Sequence, residues 1–246
     1  MSNIRSLLYT DAATVVVPLL QEFLVGNLNY GSGNGGCCCL WTVPEDVTYI
    51  KFQVWGGGGG GGGSCCCMQG RPGGSGSFTM KTVTGQLGGC QYTICAGGTS
   101  LHSNTNAGCP GCTSYVTGQG LSGFCARGGC GGCSRCQYFR NCYTCQHMCT
   151  RECCATGGDL NIHSTSGGVI ASQYCLYNGQ QYVPVAPGTV SGPLFGPPGC
   201  TCTWCTDGNS PHPVFPGGAG FTAQTYAGGC RCGWPGEAGA VSVTFG

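Results

Sequence analysis

One stretch constrains the fold more than any other. From Thr42 the chain reads TVPEDVTYIKFQVW and then runs without a break into eight glycines, Gly56 to Gly63. The first half alternates. Val47, Tyr49, Lys51, Gln53 and Trp55 take one face, and Thr48, Ile50, Phe52 and Val54 take the other. A period of two with β-branched and aromatic residues predicts a β-strand with one strongly apolar face. Pro44 and the Glu45-Asp46 pair supply the turn that feeds it. Ordering glycine costs roughly 0.5–1 kcal/mol more than ordering alanine, so a glycine run after a core strand needs a compensating interaction. A flexible linker is one reading. A packed segment in polyproline-II geometry is the other, because backbones without Cβ atoms can approach as closely as they do at the collagen axis. Linkers are usually mixed Gly/Ser and join domains, whereas this run leaves a strand, so the packed reading is preferred.

Composition sets the energetics. The chain has 246 residues, enough for one sizeable β domain with a small appendage. Only 7% of them are charged, against about 25% in an average soluble domain. The formal net charge is +1, and nine scattered basic residues cannot form a phosphate-tracking stripe, so nucleic acid is not an expected partner. So neutral a surface associates readily. Fifty glycines leave conventional side-chain packing thin, and 25 cysteines read as a covalently stapled scaffold that ends in an oxidising place. Each disulfide contributes about 2–4 kcal/mol, so a dozen could offset the glycine cost. The cysteine count is odd, so at least one is outside any intrachain pair. Asp11 and Pro18 interrupt the N-terminal apolar residues and no A-x-A site follows, so no secretory signal is expected. No apolar run approaches the ~20 residues that span a membrane, and no membrane insertion is expected.

Residues 1–36 read as an N-terminal helical segment and linker, either folded onto the chain's own domain or, as slightly preferred, an anchor that inserts into another protein, and 37–246 as the main domain. Val17 to Asn27 is predicted to be a short helix, with Pro18 at its first position, Leu19, Leu20, Phe23 and Leu24 on one face, and Gly26 at its stop. Cysteine triplets flank the founding strand and its glycines, at Cys37-Cys38-Cys39 and Cys65-Cys66-Cys67. Three consecutive cysteines cannot all bond one another, so they face different directions. Bonds between the triplets or between chains are favoured over metal binding. Cys109 and Cys112 form a C-x-x-C that reads as a local staple, since no βαβ pattern for redox chemistry surrounds it. The densest cluster lies in a segment spanning 130–156. Cys130, Cys133 and Cys136 have the spacing of iron–sulfur ligands. Cys142, Cys145, Cys149 and Cys153 fall on one face of a helix, with His147 nearby. Disulfides are the preferred fate of these seven; Zn, an Fe–S cluster or Cu(I) is the alternative. His102, His163 and His212 read as surface or packed residues. Asn178-Gly179 between strand-like runs predicts a hairpin. Residues 184–216 read as a stapled irregular loop, whose Phe195, Trp204 and Phe215 either bury themselves under the loop or serve as candidates for stacking on a receptor or glycan.

These pieces, in this order, resemble the glycine-rich domain of tailed-bacteriophage fibre and adhesin proteins. The strand entering polyglycine is followed by Gly73-Gly74-Ser75-Gly76 and a second strand from Ser77 to Val83, then by Tyr92-Thr93-Ile94-Cys95-Ala96-Gly97-Gly98. Gly157-Gly158-Asp159-Leu160-Asn161-Ile162 is similar to a recurrent GGDLNI of those proteins, and Gly236 to Phe245 to their closing strand. The glycine-rich domain of anaplastic lymphoma kinase is distantly similar. The resemblance implies a mainly β protein, a jelly-roll-like antiparallel sandwich carrying packed polyglycine-II-type loops; the 130–156 cysteine cluster is an insertion relative to that pattern.

No catalytic constellation appears: carboxylates are scattered, and no nucleophile–base set or phosphate loop has a suitable context. An enzyme is not expected, and no cofactor is expected outside the cysteine cluster. The leading expectation is a structural virion protein, a tail fibre or adhesin component on the extracellular particle, attaching to a host-surface glycan or protein. Disulfides without an export signal suit a virion protein, which oxidises after assembly or lysis. Residues 1–30 are expected to contact other virion proteins, and the chain itself to form homo-oligomers such as a trimer. A capsid or tail decoration or fibre-connecting protein, and a metal- or iron–sulfur-binding protein, are the alternatives.

Overall fold

The computed structural model describes residues 20–25, 36–65, 73–100, 108–132, 154–164, 215–220, 230–231 and 233–246. Twelve strands are present among them: β1 (Leu20–Val25), β2 (Cys37–Thr42), β3 (Tyr49–Trp55), β4 (Ser64–Cys65), β5 (Phe78–Thr84), β6 (Gln91–Ala96), β7 (Ser114–Gly118), β8 (Cys125–Ala126), β9 (Ala155–Thr156), β10 (Leu160–Ile162), β11 (Cys230–Arg231) and β12 (Ala240–Phe245). Ten of them form two five-stranded antiparallel sheets. One has the order β1-β12-β3-β5-β10 and the other β2-β6-β7-β8-β9. β4 and β11 pair separately.

The sheets share one core. Ile50, Phe52 and Val54 of β3 and Val241, Val243 and Phe245 of β12 face Tyr92, Ile94 and Ala96 of β6 and Val116 of β7. The inner face of β3 is therefore the one that alternation predicts. Trp41 of β2 closes the core at one side, its ring 5.2 Å from that of Phe245 and 6.4 Å from that of Phe52. Burial pushes the Tyr92 phenol up, helped by the nearby Cys90 thiol, and its hydroxyl donates to the Gln119 carbonyl at 3.0 Å. On the outer face of the first sheet Trp55 and Phe78 are register partners, and their rings pack 5.1 Å apart.

The predicted N-terminal helix is not formed. Leu20 to Val25 is a strand along β12, with Leu20 opposite Phe245 and Val25 opposite Ala240, and no helix occurs among the described residues. The apolar residues of LQEFLV recur at three and four rather than alternating, but β12 offers the segment a full ladder of backbone partners, and that pairing overrides the local pattern. Residues 17–19 and 26–27 of that prediction lie outside the described residues.

GGDLNI is the crossing between the two sheets. Gly157 has φ +75°, a left-handed conformation, and follows β9 directly. Asp159 accepts from the Thr82 N–H at 2.9 Å and pairs with Lys81 at 3.7 Å. The Asn161 side chain closes the turn against Gly158 in both directions, at 3.2 and 2.9 Å. The hydroxyl of Thr79 donates to the Asn161 Oδ1 at 2.7 Å, which locks β10 onto β5. His163 is exposed here, its Nδ1 accepting from the Ala155 N–H at 3.3 Å.

Candidate functional site in the glycine bundle

Beyond Trp55 the founding strand changes its way of bonding. In a β-strand, N–H groups alternate between two neighbours. From Gly56 onward they address three neighbours in turn, the habit of a three-residue polyproline-II helix. Gly57 and Gly60 donate to the carbonyls of Cys112 and Cys109, both at 2.9 Å. Gly58 and Gly61 donate to Glu237 and Trp234, both at 2.8 Å. Gly56 and Gly59 donate to Ser77 and Gly74, both at 2.9 Å. Each of these three neighbours runs antiparallel to the central segment.

Other chains fill the gaps between them. Gly129 and Gly132 donate to the carbonyls of Gly57 and Gly60 at 2.8 Å, and Gly220 to that of Gly59 at 2.7 Å. Residues 97–100 take the remaining place, where a Cβ on Gly57 would lie 2.8 Å from the Gly98 carbonyl. The ring then closes on itself. Gly74 donates to Cys130, Gly111 to Gly129, Gly239 to Gly97, Glu237 to Gly218 and Gly76 to Gly217. Residues 97–100 and 108–112 abut where a Cβ on Gly97 would meet the backbone of Cys112. Six segments thus surround one, with direction alternating around the ring.

Each pair keeps the register of the strands that lead into it. Trp55 opposes Ala240 in the sheet, Gly58 and Gly61 bond Glu237 and Trp234 in the bundle, and Ser64 opposes Arg231 in the β4–β11 ladder. The same continuity joins β3–β5 to Gly56–Ser77 and Gly59–Gly74, and β7–β8 to Gly111–Gly129 and Gly108–Gly132. The bundle is where both sheets merge, and two buried hydroxyls complete its bonding: Ser114 accepts from the Gly97 N–H and Ser100 from the Gly236 N–H, both at 2.8 Å. A Cβ on Gly59, Gly73, Gly108 or Gly131 would fall on the backbone of a neighbouring segment.

This geometry settles several sequence expectations. The polyglycine run is packed, not a linker. The sequence reading missed the other ring members, although their signal was present: Gly233, Gly236 and Gly239, Gly108 and Gly111, and Gly217 and Gly220 all recur every third residue. The local Cys109–Cys112 staple is not formed. Three residues along such a helix are about 9 Å apart, beyond the reach of a disulfide. Both carbonyls instead accept from the central glycines. Burial pushes the Cys112 thiol up, partly countered by a backbone hydrogen bond at Gly98. We expect Cys112 in the native protein to react with iodoacetamide more slowly at pH 8 than after unfolding, read by quantitative peptide mass spectrometry. A group whose pKa rises on folding contributes stability that is present below the unfolded value, here 9.0, and is lost as pH climbs past it; alkali therefore weakens the bundle.

Of the predicted ligand cysteines, Cys130 is in the ring, half-buried, its carbonyl accepting from Gly74 at 2.7 Å. Cys133, Cys136, Cys142, Cys145, Cys149 and Cys153 lie outside the described residues, as do Phe195, Trp204, His102, His147, His212 and the Asn178-Gly179 turn. Phe215 stands 38% exposed in the turn before Gly217, at the end of the bundle that adjoins the sheets. Among the described residues no three His, Cys, Asp or Glu side chains converge as metal ligands. The first triplet does face different ways. Cys38 bonds Cys95 across the β2–β6 ladder rather than the second triplet, while Cys37 and Cys39 occupy the other face of β2.

Residues 32–244 match the family model of the glycine-rich domain. The chain belongs to that family. Among curated proteins, none matches it. In this glycine-rich domain the central glycines are where two sheets fuse into one backbone-bonded bundle, and among the described cysteines Cys109, Cys112 and Cys130 belong to its ring while Cys38 and Cys95 join two strands of the second sheet.

Proposed function

We propose that this glycine-rich domain protein is a structural virion protein of a tailed bacteriophage, a tail fibre or adhesin component that attaches the particle to the host surface. One observation supports this reading above the others. The four outward-running segments, 56–63, 97–100, 127–132 and 217–220, all leave the described bundle at the end remote from the sheets. A backbone-bonded bundle thereby brings four described segment ends to one extremity. Rigid scaffolds that present variable connections are how binding surfaces are commonly built. The ordered sequence resemblance to phage fibre and adhesin domains points the same way. Residues 1–30 attach the protein to other virion components, the chain assembles with itself, and the partner at the tip is a host glycan or protein. The role is structural, not catalytic.

Peptide mass spectrometry of gradient-purified particles, with antibody labelling in negative stain, tests this. Label at the tail extremity and slower adsorption in the presence of antibody are the expected results. Label distributed over the capsid instead would favour the decoration alternative. Absence of the chain from purified particles, or stoichiometric zinc, iron or copper in the isolated protein, would overturn the attachment reading in favour of another role.

A further inference from the structure

Two cysteine–cysteine register pairs occur among the described ladders. Cys38 opposes Cys95 across β2 and β6, and Cys65 opposes Cys230 across β4 and β11. The first pair is a disulfide, with Cα atoms 4.1 Å apart. That separation marks a close, non-hydrogen-bonded position of an antiparallel ladder. The Val43 N–H donating to Cys90, an odd number of steps along the same register, is a hydrogen-bonded position and agrees with that alternation. The second pair sits where the bundle ends. Gly58 donates to Glu237 and Gly61 to Trp234, and the same register continues with Ser64 opposite Arg231 and Cys65 opposite Cys230. The ladder there has two residues on each strand, too short to be stable by backbone bonds alone. The glycines before it have no side chains to hold that end. At the other end the same two segments are secured by the full β3–β12 ladder.

We propose that Cys65 and Cys230 form a second cross-strand disulfide, a clasp on the glycine bundle at the end remote from the sheets. The three-residue step from Gly58 to Gly61 makes Ser64 the next donor. Ser64–Arg231 is then the hydrogen-bonded pair and Cys65–Cys230 the close pair beside it, the kind of position that Cys38 and Cys95 occupy. Register sets the partner: Cys65 is the member of its triplet that stands opposite a cysteine, and the residue before Cys230 is Gly229. Formation removes two thiol protons and two electrons. A small-molecule disulfide such as glutathione disulfide accepts them and leaves as two thiols. The bond closes a loop that holds most of the chain, and long loops are those whose closure restricts the unfolded state most. The central glycines and residues 233–239 are thereby tied at both ends, by sheet pairing at one and by sulfur at the other. Reduction opens the clasp and lets the bundle fray from that end while the sheets stay paired. The clasp is independent of the attachment reading, since it follows from the β4–β11 register.

The test uses the full chain oxidised with glutathione disulfide, alkylated without reduction, digested and mapped by mass spectrometry with electron-transfer fragmentation. The expected map contains a Cys65–Cys230 cross-link beside Cys38–Cys95. Cys65→Ser and Cys230→Ser should each melt roughly 5–15 °C lower, and the double variant no lower than either single one. Retention of Cys38–Cys95 in the variants shows that the sheets have formed. Amide exchange should quicken more in peptides spanning residues 56–63 than in those of β3. Cys230 linked to a cysteine other than Cys65, Cys230 alkylated without reduction, or additive losses in the double variant would overturn the proposal.

Discussion

Gly58→Ala lowers the melting temperature of this protein far more than Gly123→Ala does. Both changes add one methyl group to a glycine, and they differ in what the methyl meets. On Gly58 it falls on the carbonyl of Gly218, which is backbone held in the ring and cannot swing aside. Moving it disturbs the Glu237–Gly218 bond and the Gly58–Glu237 bond together. Overpacking a well-filled interior costs about 1–3 kcal/mol and occasionally more, and this site belongs at or above the top of that range. At Gly123 nothing lies within 4 Å, and only the positive φ of 57° resists a side chain. That conformational cost is about 1–2 kcal/mol. With a shift of roughly 2–4 °C per kcal/mol at this size, differential scanning calorimetry separates the two variants. Equal shifts would mean that the bundle gives way, and that its packing is not what holds it.

Phe52→Ala is expected to cost about 3–5 kcal/mol, the range for a large aromatic removed from a core. Phe52 is fully buried, and its ring lies 5.1 Å from Tyr92, 6.3 Å from Phe124 and 6.4 Å from Trp41. It belongs to the first sheet and all three partners to the second sheet or its connections, so its removal opens a void between the layers. Lys51, its neighbour on the outer face, is the control; Lys51→Ala should stay within about 0.5 kcal/mol. Urea unfolding decides it. The midpoint should fall for Phe52→Ala with an unchanged slope, and a similar fall for Lys51→Ala would show that burial at this strand does not decide its stability.

β3 could be read from the chain because its neighbours agree with it. Ile50, Phe52 and Val54 alternate, and the sheets on either side use that alternation without change. The strands Ser77–Val83 and Tyr92–Ala96 and the closing strand were legible instead through the order of pieces shared with the glycine-rich family. The glycine run could be read as packed, but not its seating, because glycine has no side chain to announce a partner. Only the three-residue recurrence in distant segments carries that information. Leu20 to Val25 misled because its local apolar spacing is that of a helix, whereas its conformation is set by pairing with β12, far along the chain. Cysteine pairing was hidden for a related reason. Cys38 meets Cys95 through the β2–β6 register, and no spacing within either triplet reveals a ladder between strands so distant in sequence.

The unbroken register from sheet to bundle has a kinetic consequence. Trp55 and Ala240 are partners, and so are Ser64 and Arg231, across most of the chain's length. The central glycines acquire two of their six neighbours only when residues 217–220 and 233–239 have been synthesised. Non-local pairing of this kind folds slowly, because loop closure must be completed before the contacts reward it. During translation the glycine run therefore waits as solvated chain. Once β12 slides between β1 and β3, the ladder it starts can propagate straight into the bundle, so that the sheet acts as the template on which the glycines are wound.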